Sequence, residues 1–325
     1  MKWLLITTIN KNPGDEFIRV GIQKLITEID IDARFILVDK ESTDMDISID
    51  FDKSVWCGMP LFWSLNNNKN HKIKWWKYLV GGWPSINKNN FCVLGGGSFQ
   101  DWESIERNAD INGLVKSAED LCRHSHFVTV RDPIVNLLCK TNFEIIVCPA
   151  IFSTHGIKKN DSIKGCNLMP NGGHYSNFNP KQALIWQEKV KDISEILLKN
   201  NFKFFSHNKE ENEFALNMGW KTVNIINYNQ NVNDFLYSYR NVDQFFGNRV
   251  HGCIVSRANN ANVISCGYDS RQEAVKLTKA KALLPSELNL SKFESWARYY
   301  EPGKHINLSL IKKKYLEIIR ELYID

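Results

Sequence analysis

No CxxC pair occurs among the eight cysteines. Cys57, Cys92, Cys148 and Cys253 instead sit inside apolar runs such as SVWCG and VHGCIV. They read as small core residues in a reducing compartment, not as a disulfide framework. Also missing is any apolar stretch long enough to span a bilayer. The opening MKWLLITTIN has only a short apolar run, no small-residue cleavage site, and NPGDE directly behind it. It reads as a first buried strand of a cytoplasmic protein, not a signal peptide. Neither GxGxxG nor a Walker loop is present. An excess of one charge is lacking too: 41 Lys and Arg against 36 Asp and Glu give a net charge of only +5. That suits a small anionic ligand or a weak pull toward an acidic membrane surface. With no recognition module in view, nucleic acid is not an expected partner.

What is present is alternation. Over 325 residues, 43% hydrophobic and 24% charged, short apolar runs trade places with amphipathic segments. WLLITTI, ARFILVD, KSVWCG, NFCVLGG, FVTV and FEIIVC read as strands. A helix over 16–28 carries Phe17, Ile18, Ile22, Leu25, Ile26 and Ile29 on one face, and further helices lie around 114–122 and 132–140. The polar stretch 152–165 reads as a linker. The pattern then restarts with GCNLMP, a helix opened by Asn179 and Pro180, and the strands FKFFS, KTVNIIN, DQFFG and NVISCGY. The expectation is an α/β protein: two Rossmann-like domains, 1–155 and 156–305, with parallel sheets facing a cleft, and an amphipathic terminal helix in 306–325.

In such sheets ligands bind beyond the C-terminal strand ends, near helix N-termini. Four strand ends carry chemistry-bearing residues. In NKNPGDEF, Gly14 suits a tight turn, and Asp15 reads either as a helix cap or as a base at the cleft. In VLGGGSFQD, Gly95, Gly96 and Gly97 suit a ligand-facing loop, with Ser98 and Asp101 edging the cleft. In VRDP, Asp132 reads as a cap, and Arg131 as either an ion-pair partner or an anion clamp. In GNRVHG, Arg249 and His251 gather a guanidinium, an imidazole and free backbone N–H groups at one anion-attracting helix start. His174 and His207 also follow strands. Cys122, His124 and His126 straddle a helix end and a strand start with no fourth ligand, so no metal and no cofactor is expected.

Taken together, NPGDEF, GGGSFQD, VRD and GNRVHGCIVSRANNANVISCGYDSR resemble the polysaccharide pyruvyltransferase family, in order and over most of the chain. The resemblance implies a GT-B-like architecture with the donor held mainly by the C-terminal domain. It implies transfer of a pyruvyl group from phosphoenolpyruvate to a sugar as a cyclic ketal. Arg249 and His251 would bind the donor, with Arg131 contributing; His174, placed only by following a strand, is a further candidate for substrate binding. Asp15 and the three glycines would line the cleft. His251 is the candidate acid and Asp15 the candidate base. Departures are Pro13 before the Gly-Asp pair, Arg271 in place of an expected lysine, and no arginine after NLMP. The same Arg/His site would also suit a nucleotide-sugar glycosyltransferase, and a non-catalytic glycan-binding protein is the alternative from another class. Finally, Lys69, Lys72, Lys74 and Lys77 interleave with Trp75, Trp76, Tyr78 and Trp83. This stretch reads as a loop leading into a core helix, or as a patch for peripheral membrane association near a lipid-linked glycan acceptor.

Overall fold

The run KWLLIT forms β1 (Lys2–Thr7) with every residue after Lys2 buried, as a central parallel strand requires. The computed structural model describes residues 1–40, 49–62, 89–106, 109–154, 161–173 and 179–323. The lysine- and tryptophan-rich stretch 66–84 and His174 lie outside them. Helix α1 (Pro13–Thr27) follows β1, and its cap is Asn12, whose side chain accepts from the Gly14 N–H at 3.1 Å. The helix therefore starts earlier than expected. Asp15 lies in its first turn, which corrects the cap reading. Phe17, Ile18, Ile22, Leu25 and Ile26 are buried along one face, as the periodicity indicates.

The first sheet has seven strands in the order β2 (Arg34–Asp39), β1, β3 (Lys53–Cys57), β5 (Phe91–Ser98), β6 (Phe127–Val130), β7 (Glu144–Ile145), with β4 (Pro60–Phe62) beside β5. Helices α2 (Ile111–His124) and α3 (Ile134–Cys139) flank β6 in sequence. The second sheet has six strands: β10 (Ile225–Asn227), β9 (Lys203–Ser206), β8 (Ile163–Asn167), β11 (Val242–Gly247), β12 (Asn262–Cys266) and β13 (Lys281–Leu283). Its helices are α4 (Pro180–Lys199), α5 (Lys209–Asn217), α6 (Val232–Tyr239), α7 (Val250–Arg257), α8 (Gln272–Lys276) and α9 (Leu290–Arg298). Both sheets are parallel throughout, as expected.

Several expected boundaries shift. KTVNIIN opens as a 3-10 turn (Thr222–Asn224) before β10, and FEIIVC pairs only over β7. The expected linker is anchored at both ends. Phe152 closes the 3-10 turn Pro149–Phe152, Thr154 is buried and bonds the Val255 carbonyl at 3.2 Å, and β8 begins at Ile163. One apolar cluster belongs to the first sheet and one to the second, while a third runs through both. In that shared cluster Phe17 of α1 packs against Phe235 and Tyr239 of α6, with centroids 6.0 and 5.6 Å apart. The terminal helix α10 (Leu308–Glu321) returns to the first half: Tyr315 is buried and its hydroxyl donates to the Val147 carbonyl at 2.7 Å.

Candidate functional site

Strand order reverses between β1 and β3 in one sheet and between β8 and β11 in the other. Such reversals open the crevices that ligands use in parallel sheets. Here the two crevices meet. Lys11 and Asn12 after β1, Asn171 after β8, His207 after β9 and Arg249 after β11 line one cavity of about 260 Å3.

Asn248 builds this corner. Its Oδ1 accepts from the Met169 N–H at 3.0 Å, and its backbone N–H donates to the Asn167 carbonyl at 3.1 Å. Its side-chain amide donates to the Cys266 carbonyl. One side chain thus ties the ends of β8, β11 and β12 and fixes where α7 starts.

Arg249 precedes α7 and turns into the cavity wall. Its Nε and Nη2 lie 2.6 and 2.5 Å from Glu211 Oε1. Glu211 is buried, and its other oxygen accepts from the His207 N–H at 2.8 Å and the Asn167 side-chain amide at 2.9 Å. Burial pushes the Glu211 carboxyl pKa up, but Arg249, His207 and these donors outweigh it and hold it below the ordinary value. Glu211 is therefore a charged, fully engaged carboxylate. It is the cation's counter-charge before any ligand arrives.

His251 turns the other way, toward the first half. Its Nε2 is 2.6 Å from Arg131 Nη1. A guanidinium only donates, so Nε2 accepts and the neutral ring carries its proton on Nδ1. Burial, then the charges of Arg131, Arg271, His207 and Arg249, hold its pKa well below the ordinary value. Arg131 is 0% exposed. Its Nε and Nη2 find no hydrogen-bond partner among the described residues.

The glycines make this meeting sterically possible. A Cβ at Gly14 would lie 2.5 Å from His251 Nδ1, and one at Gly97 would lie 2.5 Å from Arg131 Nε. Gly14 is helical, so close approach is its purpose where a turn was expected. Gly95, Gly96 and Gly97 lie inside β5, not in a loop after it. Gly95 has φ +72°, and a Cβ there would meet Pro149 at 2.8 Å.

The remaining sequence-derived candidates are buried at the junction. Asp15 Oδ2 accepts from Thr8 Oγ1 at 2.7 Å and lies 3.4 Å from Lys40 Nζ. Ser98 Oγ is 2.8 Å from Asp132 Oδ1 and 2.7 Å from Ser270 Oγ across the junction. Asp101 accepts from Asn179 at 3.0 Å, and its backbone pairs with that of Asp269 in an isolated antiparallel bridge. Asp132 also accepts from the Val135 N–H at 3.3 Å, although the residue in the cap position of α3 is Pro133, not Asp132 as expected. Arg271 lies on Asp269 through two contacts of 2.8 Å and over the Phe99 ring at 4.3 Å. Among the described residues no group of three or more His, Cys, Asp or Glu is placed to hold a metal.

Glu211 was the residue sequence reading missed. Its signal was the pattern Asn208-x-x-Glu211 at the start of α5, the spacing of a helix capping box. Asn208 does cap, accepting from the Glu211 N–H at 2.9 Å. The glutamate, however, reaches to the His207 N–H and to Arg249, so half of a capping motif serves the cavity.

Residues 12–270 match the sequence profile of the family described as polysaccharide pyruvyl transferase. A search of curated proteins gives no match. Solved structures similar in fold include a UDP-GlcNAc 2-epimerase from Neisseria meningitidis bound to UDP-GlcNAc, with TM-score 0.56 and 8% identity over 99% of this chain and 100% of that one. A second is a UDP-GlcNAc 2-epimerase from Methanocaldococcus jannaschii in complex with UDP-GlcNAc and UDP, with TM-score 0.51 and 13% identity over 100% of both chains. A third is a putative UDP-N-acetylglucosamine 2-epimerase from Listeria monocytogenes, with TM-score 0.52 and 10% identity over 99% and 96%. At these identities the likeness is one of fold, and the fold is GT-B-like.

Proposed function

The chain belongs to the polysaccharide pyruvyl transferase family, and from that premise we propose that it moves the pyruvyl group of phosphoenolpyruvate onto two hydroxyls of one sugar, forming a cyclic ketal. The observation that carries this reading is the cavity where the two crevices meet. Its roughly 260 Å3 is below the ~300–1,000 Å3 typical of drug-sized ligands, and that suits a three-carbon phosphate better than a nucleotide sugar. Its cations, Arg249 and Lys11, stand among the starts of α1 and α5, whose backbone N–H groups favour anions. Two carboxylates also line it. Glu211 and Arg249 offset one another, Lys11 lies 3.3 Å from Asp39, and Glu210 is exposed to water, where its repulsion is weak.

In the proposed reaction one acceptor hydroxyl adds to C2 of the donor while the methylene carbon takes up a proton. The C2–O bond to phosphate breaks, and the second hydroxyl closes the ketal. The two hydroxyl protons end on the new methyl group and on phosphate, so no water and no redox partner is consumed. His251 is neutral in the free protein. A dianionic phosphate arriving at the Arg131–His251 contact would raise its proton affinity, which makes it the candidate acid. Arg131 is sealed from solvent, so reaching it requires the halves to part. Asp15, in the first turn of α1 beside Thr8 and Lys40, is the candidate base for the acceptor hydroxyl.

The acceptor class is a sugar of a cell-surface polysaccharide or its lipid-linked precursor. Purified protein with phosphoenolpyruvate and an acceptor panel tests the reading through inorganic phosphate release and an acid-labile mass gain on the glycan. Acceptor-dependent phosphate release is the expected result. Turnover of a nucleotide sugar with phosphoenolpyruvate untouched would replace the reading with a glycosyltransferase.

A further inference from the structure

The His207 ring has no part in the proposed reaction, yet the residue is built into the cavity. The residue is 3% exposed, and its ring is held edge-on by Phe17, Phe235 and Tyr239, at centroid distances of 6.0, 5.3 and 6.4 Å. Its Nε2 lies 2.9 Å from the Tyr239 hydroxyl. Its Nδ1 has no hydrogen-bond partner among the described residues, and the residue lines the cavity while Tyr239 does not. Nδ1 is therefore the ring's one polar atom without a partner; it is itself buried, so a ligand oxygen reaches it only through a shift of the cavity wall.

The tautomer follows from counting donors. Burial lowers the His207 pKa to about 3, against an opposing pull from Glu211, so the ring is neutral. A neutral imidazole has one N–H. If Nε2 carried it, the Tyr239 hydroxyl hydrogen would be a second buried donor with no acceptor on this histidine. If Tyr239 donates to Nε2, the phenol is satisfied and Nδ1 keeps the proton. Burial holds the phenol pKa well above its ordinary value, so that proton stays on oxygen. The Glu211 carboxylate takes the His207 backbone N–H at 2.8 Å and Arg249 Nε at 2.6 Å. One anchor thus fixes both Arg249 and the imidazole beside it.

We propose that His207 contacts the donor directly, its Nδ1–H donating to an anionic oxygen held by Arg249, with Tyr239 fixing the tautomer. This deepens the pyruvyl-transfer reading and rests on it for the identity of the anion. A neutral donor beside a cation adds direction without adding charge. It favours a correctly placed oxygen over any anion that happens to enter.

Two amides separate the ring's edges: asparagine can present an N–H near the position of Nδ1, while glutamine reaches Tyr239 and leaves the Nδ1 position empty. His207→Gln should raise KM for phosphoenolpyruvate roughly tenfold, the loss of one hydrogen bond to a charged group, with kcat changed less. His207→Asn should stay within about threefold of wild type, because its N–H replaces the bond. Tyr239→Phe removes only a hydroxyl and should raise KM a few-fold by freeing the tautomer. Melting temperatures confirm folding, and if the glutamine variant unfolds, Tyr239→Phe decides. Equal effects of Gln and Asn, or a wild-type KM in Tyr239→Phe, would overturn the proposal. Calorimetric titration with inorganic phosphate runs beside the kinetics. Phosphate affinity that falls in the Gln variant supports His207 even if phosphoenolpyruvate is not turned over, which would sink the pyruvyl reading alone. A wild type that binds neither anion overturns both.

Discussion

Arg131 and Arg249 occupy the same kind of place, directly after a buried parallel strand and before a helix, and have opposite surroundings. Arg249 meets a carboxylate and borders open space; its side chain is 11% exposed. Arg131 meets a neutral imidazole in a sealed junction and has two nitrogens without partners among the described residues. Burying a charge is costly unless it is paired. Arg249 is compensated in advance and so is oriented before a ligand arrives. Arg131 is the less compensated of the two, and an anion would gain most beside it. On the proposed reading the pair is a fixed receptor and a closing clamp on opposite halves of the molecule.

Acid should break both sites together, with the largest effect. The His207 value in the folded protein, about 3, lies below its ordinary 6.5, so below pH 6.5 the unfolded chain binds the proton more readily. Stability is fully present above 6.5 and falls as pH drops from there toward 3. The loss is about 1.4 kcal/mol per pH unit through most of that window for this histidine. His251 acts in the same direction. Denaturation midpoints from pH 8 to 4 check this, and a flat profile would mean the imidazoles are not held neutral.

The two arginines should next differ in stability while agreeing in activity. Arg249→Met strands the buried Glu211 charge and should cost about 3–5 kcal/mol. Adding Glu211→Gln should recover part of that. Arg131→Met leaves a neutral histidine behind and should cost clearly less in urea unfolding. Each should lower kcat/KM by about 100-fold or more. Equal destabilisation by the two would erase the distinction between receptor and clamp.

The smallest effect sharpens the sealed side. Gly97→Ala and Gly14→Ala place a methyl group 2.5 Å from Arg131 Nε and His251 Nδ1 respectively. Each should destabilise by about 1–3 kcal/mol through overpacking and should weaken activity more than phosphoenolpyruvate binding at Arg249. Wild-type turnover in both would show that the Arg131–His251 contact is dispensable.

Much of this was legible in the residues. The parallel α/β pattern, the apolar face of α1 and the amphipathic helix at the C-terminal end follow from periodicity, because burial enforces it residue by residue. Arg131 and Arg249 stand out because cations at strand ends are costly without a partner, and His251 because it shares a helix start with one of them. The partners themselves were not legible. Glu211 lies 38 positions before Arg249, and Arg131 lies 120 positions before His251, so no local spacing encodes either contact. The glycines misled for a related reason. A missing Cβ reads locally as a turn, whereas at Gly14 and Gly97 it makes room for a side chain from elsewhere in the chain.

The most direct test of the central claim is calorimetric titration of phosphoenolpyruvate into the wild type and into the Arg249→Met/Glu211→Gln double variant, in which the buried charge pair is removed together. Saturable binding by the wild type, lost in the folded double variant and retained in Gly97→Ala, is the predicted result. Equal affinity in the double variant, or a wild type that binds UDP-GlcNAc and ignores phosphoenolpyruvate, would contradict it.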